Sequence, residues 1–169
     1  MDAAQLRATQ APIKDRYKTD PKSAVITLKA KGSIENEGIA CKVETGRALA
    51  VAGLHPATGG SGLELCSGDM LLEALVACAG VTLKAVSTAL AIPLKSGQVS
   101  AEGDLDFRGT LGVDKEAPVG FAEIRLRFDV GTEAPQDKLD LLLKLTERYC
   151  VVYQTIKNGP KVSVTMQRV

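Results

Sequence analysis

The stretch from about residue 69 to residue 90 most constrains what this chain can become. Its apolar positions, Leu71, Ala74/Leu75, Cys78, Thr82 and Ala85/Val86, recur at spacings of three and four, the period of an α-helix. Only Glu73 and Lys84 interrupt it, so the predicted helix is apolar nearly all the way round and needs cover on most sides. Ser67 or Asp69 supplies its N-cap. The flanking segments provide that cover as strands. Ala24, Ile26, Leu28 and Ala30 alternate with Val25, Thr27, Lys29 and Lys31, and Ile39, Cys41 and Val43 alternate again beyond a polar turn at 33–38. Residues 24–45 therefore read as a hairpin, with a short third strand at 47–53. Alternation returns at Val99, Ala101, Gly103, Leu105 and Phe107, and at Ile124, Leu126, Phe128 and Val130. A second helix is predicted over about 136–157, with the stripe Leu139, Leu142/Leu143, Thr146, Cys150, Tyr153 and Ile156. It is closed by Asn158-Gly159-Pro160, and a last strand carries Val162, Val164 and Met166. Strands, long helix, strands, long helix, strand is the order of an α+β fold with antiparallel sheet. The expected organisation is one domain over 24–169, preceded by an irregular or short-helical lead-in at 1–23 that Asp20-Pro21 ends.

Composition narrows the function. The 169 residues hold 21 Lys+Arg against 20 Asp+Glu, a net +1, which gives no broad grip on phosphate or anionic lipid. Three Phe, three Tyr and no Trp are too few for a base-stacking platform, so a nucleic-acid binder is not expected. The polar N-terminus has no apolar run of signal-peptide type, and Glu73 and Lys84 interrupt the most apolar stretch, so no membrane association is expected and the chain reads as cytoplasmic. In that reducing compartment the four cysteines, Cys41, Cys66, Cys78 and Cys150, are read as thiols. No C-x-x-C pair occurs, and a lone histidine, His55, supports no zinc site. The Gly-rich loop at 59–62 lacks the Lys-Ser/Thr of a phosphate loop.

Cys78 and Cys150 each fall mid-helix on an inward stripe. Two packed helices could bring them within disulfide reach, and either could instead be a small hydrophobe filling the core. For peroxide chemistry one must be a thiolate, and Cys78 lies too far from the start of its own helix for that dipole to help. An arginine held by a carboxylate would lower its pKa, and a second thiol would trap the sulfenic acid before further oxidation.

SGDMLLEALVACAGVTLKAV (67–86) and ERYCVVYQTI (147–156) resemble the two cysteine-bearing helices of the OsmC/Ohr family, the osmotically inducible and organic hydroperoxide resistance proteins. GLHPATGGSG (53–62) and the strand order extend the similarity over most of 24–169. The resemblance implies a thiol peroxidase that reduces organic hydroperoxides without metal, haem or flavin. It also implies an intertwined homodimer, with antiparallel sheets around two long central helices. Carried over by position, Cys78 is the peroxidatic and Cys150 the resolving cysteine. Asp69 takes the place of the family's carboxylate, one carbon shorter than the usual Glu. The activating arginine belongs to the N-terminal hairpin, whose turn (32–39) has none, so Arg47 is the nearest candidate. A lipoyl or thioredoxin type of dithiol would complete the cycle. The alternative is a catalytically weak dimer of the same fold that binds a small hydrophobic ligand. Cys41 reads as strand core, Cys66 as a loop thiol and His55 as a loop residue near the mouth of the site.

Overall fold

The computed structural model describes residues 3–34, 41–43, 53–63 and 65–168, with side chains from 8 to 27 and from 53 onward apart from 64. Arg47, the side chain of Cys41 and the expected strand at 47–53, apart from Gly53, lie outside the described residues.

The chain opens with α1 (Ala3–Thr19), longer and more regular than the sequence suggested. It stops one residue before Asp20-Pro21, as expected where proline excludes helical geometry from the residue before it. Tyr17 anchors it. Its ring is fully buried against Ala24, Phe107 and Leu111, and its hydroxyl donates to the Ala57 carbonyl at 2.7 Å.

Strands β1 (Val25–Ile34) and β2 (Cys41–Val43) pair antiparallel, as the hairpin reading required, with Gly32 opposite Val43. A short 3₁₀ turn at Pro56–Thr58 precedes α2 (Ser67–Ala89). Strand β3 (Ser96–Asp106), the one-turn helix α3 (Phe107–Thr110) and strand β4 (Phe121–Gly131) follow. The four strands form one antiparallel sheet in the order β2-β1-β3-β4.

One face of that sheet is apolar and packs on α2. The inward residues of β3, Val99, Ala101 and Gly103, are small, which lets the helix approach closely and bury Leu72, Leu75, Val76 and Ala79. Gly103 is required here: a Cβ would sit 2.5 Å from the Phe121 ring, which lies across β3 where the β3–β4 register slips between Asp104 and Leu105. The other face is charged. Arg125 donates to Asp104 at 2.6 and 3.0 Å and pairs with Glu102 and Glu123; these bonds, with one from Thr27, pull the Asp104 carboxyl down to about 2. Glu123, Arg125, Arg127 and Asp129, alternating with the apolar residues of β4, make up its β4 side.

By length and composition α2 is apolar enough to cross a membrane, yet its buried face is the centre of the protein core. The buried residues are Leu72, Leu75, Val76, Ala79, Gly80, Leu83 and Ser87, one position round from the predicted stripe. Leu71 is exposed, and Cys78 is half-buried at the edge of the covered face.

Two expectations fail at the C-terminal end. The second long helix is in fact two, α4 (Gln136–Tyr149) and α5 (Val151–Asn158), broken at Cys150. The run Tyr149-Cys150-Val151-Val152-Tyr153 explains the weakness, since aromatic, Cys and β-branched residues all lose side-chain freedom or favourable packing in a helix. The predicted stop at Asn158-Gly159 holds. The final strand does not: Val162, Val164 and Met166 are exposed and pair with no strand among the described residues.

Candidate active site

Cys78 and Cys150 come together. Cys78 projects from the middle of α2 towards the α4–α5 break, and the cluster that holds them includes Val152 and Tyr153. Cys150 is 1% exposed, so its thiol has essentially no access to water. Both are free thiols.

Their environments push the two thiols apart. Burial raises the Cys150 thiol most. A neighbouring Cys78 thiolate adds to this by accepting its proton in a hydrogen bond, and the net position is about 11. Burial is also the largest single influence on Cys78 and acts upward. It is outweighed by donors that converge on the sulfur: the Val152 amide, the Cys150 thiol, the Val151 amide and the Thr82 hydroxyl. The Cys78 thiol therefore lies below its ordinary value, and none of those four donors carries a charge. Of the two thiols Cys78 is the stronger acid.

The break provides the amides. Cys150 closes α4 by donating its N–H to the Thr146 carbonyl at 2.9 Å, then takes an extended conformation (φ −71°, ψ 107°) as the N-cap of α5. The first amides of α5 then lie at the two thiols: Val151 and Val152 act on Cys78, and Val152 and Tyr153 on Cys150. Thr82 lies one helical turn beyond Cys78 on α2. Elsewhere in the helices, Thr88 and Thr146 return their hydroxyls to the carbonyl four residues back, the ordinary choice for threonine, whereas Thr82 serves the sulfur.

Asp69 is not part of this cluster. It occupies the first turn of α2, nine residues before Cys78, a separation of about 13 Å along a straight helix. Its carboxyl is raised by burial, an effect that the nearby His55 partly offsets. His55 stacks on Phe107 with ring centroids 4.9 Å apart, and its Nδ1 accepts the Ala57 amide at 3.0 Å. With Cys66, Leu71 and Phe121 it lines a separate cavity of about 440 Å³. A larger groove of about 470 Å³ shares Leu75 and Tyr153 with the cluster around the cysteine pair, although neither cysteine lines it, and Glu123, Glu147 and Lys157 stand among its walls. Leu75, one turn before Cys78, lines it with Phe121, Leu126, Phe128, Tyr153 and Ile156. Among the described residues no group of His, Cys, Asp and Glu could hold a metal ion.

Sequence reasoning found the two thiols and missed the groups around them. Main-chain amides have no sequence signature, although the β-branched Val151-Val152 pair could have flagged the break that frees them.

Among solved structures, an OsmC-like hydroperoxide resistance protein from Jannaschia sp. CCS1 superposes with a TM-score of 0.64, over 86% of this chain and 95% of that one, at 12% identity. At that identity the likeness concerns the fold. No curated protein matches the sequence. A family model for OsmC-like proteins matches residues 60–165, the part that carries both cysteines, α2 and the α4–α5 break. The chain belongs to the OsmC-like protein family.

Proposed function

We propose that this protein is a thiol peroxidase that reduces organic hydroperoxides, with Cys78 as the attacking cysteine and Cys150 as the resolving one. The observation that carries the reading is the pair of free thiols packed together, a half-buried Cys78 that is the stronger acid beside a buried Cys150 whose thiol is pushed up. A peroxidatic sulfur must ionise to attack, and a resolving thiol can wait protonated. The Cys78 thiolate attacks the distal peroxide oxygen. The O–O bond breaks, sulfur gives up two electrons, and the alkoxide takes a proton to leave as alcohol. Cys150 then attacks the sulfenic acid sulfur, water leaves, and a Cys78–Cys150 disulfide remains. A dithiol of the lipoyl or thioredoxin type would return both thiols and carry away the disulfide in its own ring.

The groove lined by Leu75, Phe121 and Ile156 supports an organic rather than a small hydrophilic peroxide, because an alkyl chain there sheds water against apolar walls. The hydroperoxide resistance of the Jannaschia protein points the same way. By the family resemblance Asp69 and Arg47 are proposed as the supporting carboxylate and arginine, although Asp69 stands apart from the thiol cluster and Arg47 lies outside the described residues. The active form is proposed to be a cytoplasmic homodimer. The unpaired alternation of Val162, Val164 and Met166 supports this, since such a segment gains a buried face only by pairing with a strand.

Replacing Cys78 with serine tests the reading. It predicts loss of peroxide turnover with an intact fold. Unchanged turnover in Cys78→Ser would remove the reading and leave the groove as a hydrophobic-ligand site.

A further inference from the structure

In an unbroken helix the Val151 N–H would bond the Glu147 carbonyl, and the Val152 N–H the Arg148 carbonyl. Here that ladder is cut, and the first cut end is occupied by a side chain. The Gln154 amide nitrogen donates to the Glu147 carbonyl at 2.8 Å, taking the place Val151 would have filled. Gln154 is held in turn, as Asn158 donates to its side-chain oxygen at 2.9 Å and its backbone N–H donates to the Cys150 carbonyl at 2.9 Å. The displaced Val151 and Val152 amides act on the Cys78 sulfur, and that of Val152 acts on the Cys150 sulfur as well.

We propose that the break at Cys150 is the device that activates Cys78: it turns the Val151 and Val152 amides onto the sulfur, with Gln154 as the positioning residue that keeps the break open. Two aligned amides at a helix start present partial positive charge without the flexibility of a charged side chain, and a thiolate formed there needs no reorganisation. Among the described residues the titratable side chains packed in the apolar cluster around Cys78 are Cys150, Tyr153 and Cys66, and the groove shared by Leu75 and Tyr153 adds Glu123, Glu147 and Lys157. The inference rests on the reading of Cys78 as the attacking thiolate, and its test is independent of peroxide.

The geometry offers a substitution that deletes one amide and little else. Val151 is the first residue of α5, where proline is well tolerated, and Cys150 before it is already extended, as a residue preceding proline must be. The Val151 side chain is 70% exposed, so its loss leaves no cavity. The measurement is the pH dependence of iodoacetamide alkylation at Cys78, followed peptide by peptide by mass spectrometry. Val151→Pro is expected to raise the midpoint by about one pH unit and to slow alkylation about tenfold below both midpoints. Val151→Ala keeps the amide and should leave the profile in place. Gln154→Leu should move the midpoint in the same direction as proline but less. An unchanged midpoint in folded Val151→Pro overturns the proposal. Should that variant not fold, the wild-type protein decides by NMR: the Val151 and Val152 amide resonances must shift with the same midpoint as Cys78 alkylation, and flat resonances overturn it. If the midpoint moves as expected but wild-type Cys78 is not oxidised by an organic hydroperoxide, the peroxidase reading falls and the activation device stands.

Discussion

Replacing Cys150 with serine separates activation of Cys78 from resolution, because it keeps a hydrogen-bond donor and removes the second sulfur. Two opposing energies set its effect on stability. Serine is a better N-cap than cysteine, a gain of about 1 kcal/mol for α5. Against this, a hydroxyl takes a site only 1% exposed, at a cost of about 1–3 kcal/mol if left unbonded. The hydroxyl has partners there in the Tyr153 amide and the Cys78 sulfur, which already interact with the Cys150 thiol. The net change should stay within about 1 kcal/mol, a Tm shift of no more than about 2–4 °C in a chain of this size. Chemistry should change far more. Reduced Cys150→Ser, mixed with one equivalent of cumene hydroperoxide without added thiol, should release one alcohol per chain and gain one oxygen at Cys78, trappable by dimedone. Excess peroxide should carry Cys78 on to the sulfinic acid, against which the wild type is protected by its disulfide. Cys150→Ala, with neither donor nor cap, should also show a higher Cys78 midpoint. A serine variant that stays unoxidised, or that loses a second thiol to a bridge with Cys66, would refute the assignment of Cys150.

Further outcomes follow from the same geometry. Thr82→Val keeps the shape of the side chain but removes a donor from Cys78, and should raise the alkylation midpoint by about half a pH unit with the fold intact by circular dichroism. Leu72→Ala empties a fully buried position between α2 and the sheet, and should cost about 2–5 kcal/mol in urea unfolding. Asp106 is held below its ordinary value mainly by Arg108, which grips both of its oxygens. Because the folded carboxyl is the stronger acid, this contribution is present above the unfolded value near 4 and is lost as the pH falls through the lower, folded one. Acid unfolding should thus begin at higher pH in Asp106→Asn than in the wild type.

How far the sequence could be read depended on what each element's residues announce. Hairpin 24–45 was legible from its alternation, and β3 because one face is buried and the other wetter, as Val99 and Gln98 are. Helix α2 was legible as a helix, but its phase was not. With apolar residues on nearly every side, Leu71 and Leu72 are equally good candidates for the core, and only the sheet's small residues decide for Leu72. The break at Cys150 was invisible to periodicity because the apolar stripe runs on through Tyr153 and Ile156. It is local backbone weakness, not side-chain pattern, that opens it. The pairing of Cys78 with Cys150 was therefore within reach of the sequence, whereas the amides, Thr82 and Gln154 that surround the pair were not.

The central claim is that Cys78 and Cys150 form one redox couple. It is tested most directly by mixing the fully reduced protein with one equivalent of an organic hydroperoxide and mapping every thiol by mass spectrometry. The account predicts rapid loss of two thiols, both recovered in a single Cys78–Cys150 disulfide, with Cys41 and Cys66 still reduced. Thiols that survive the peroxide, or oxidation that falls on Cys66 while Cys78 stays reduced, would contradict it.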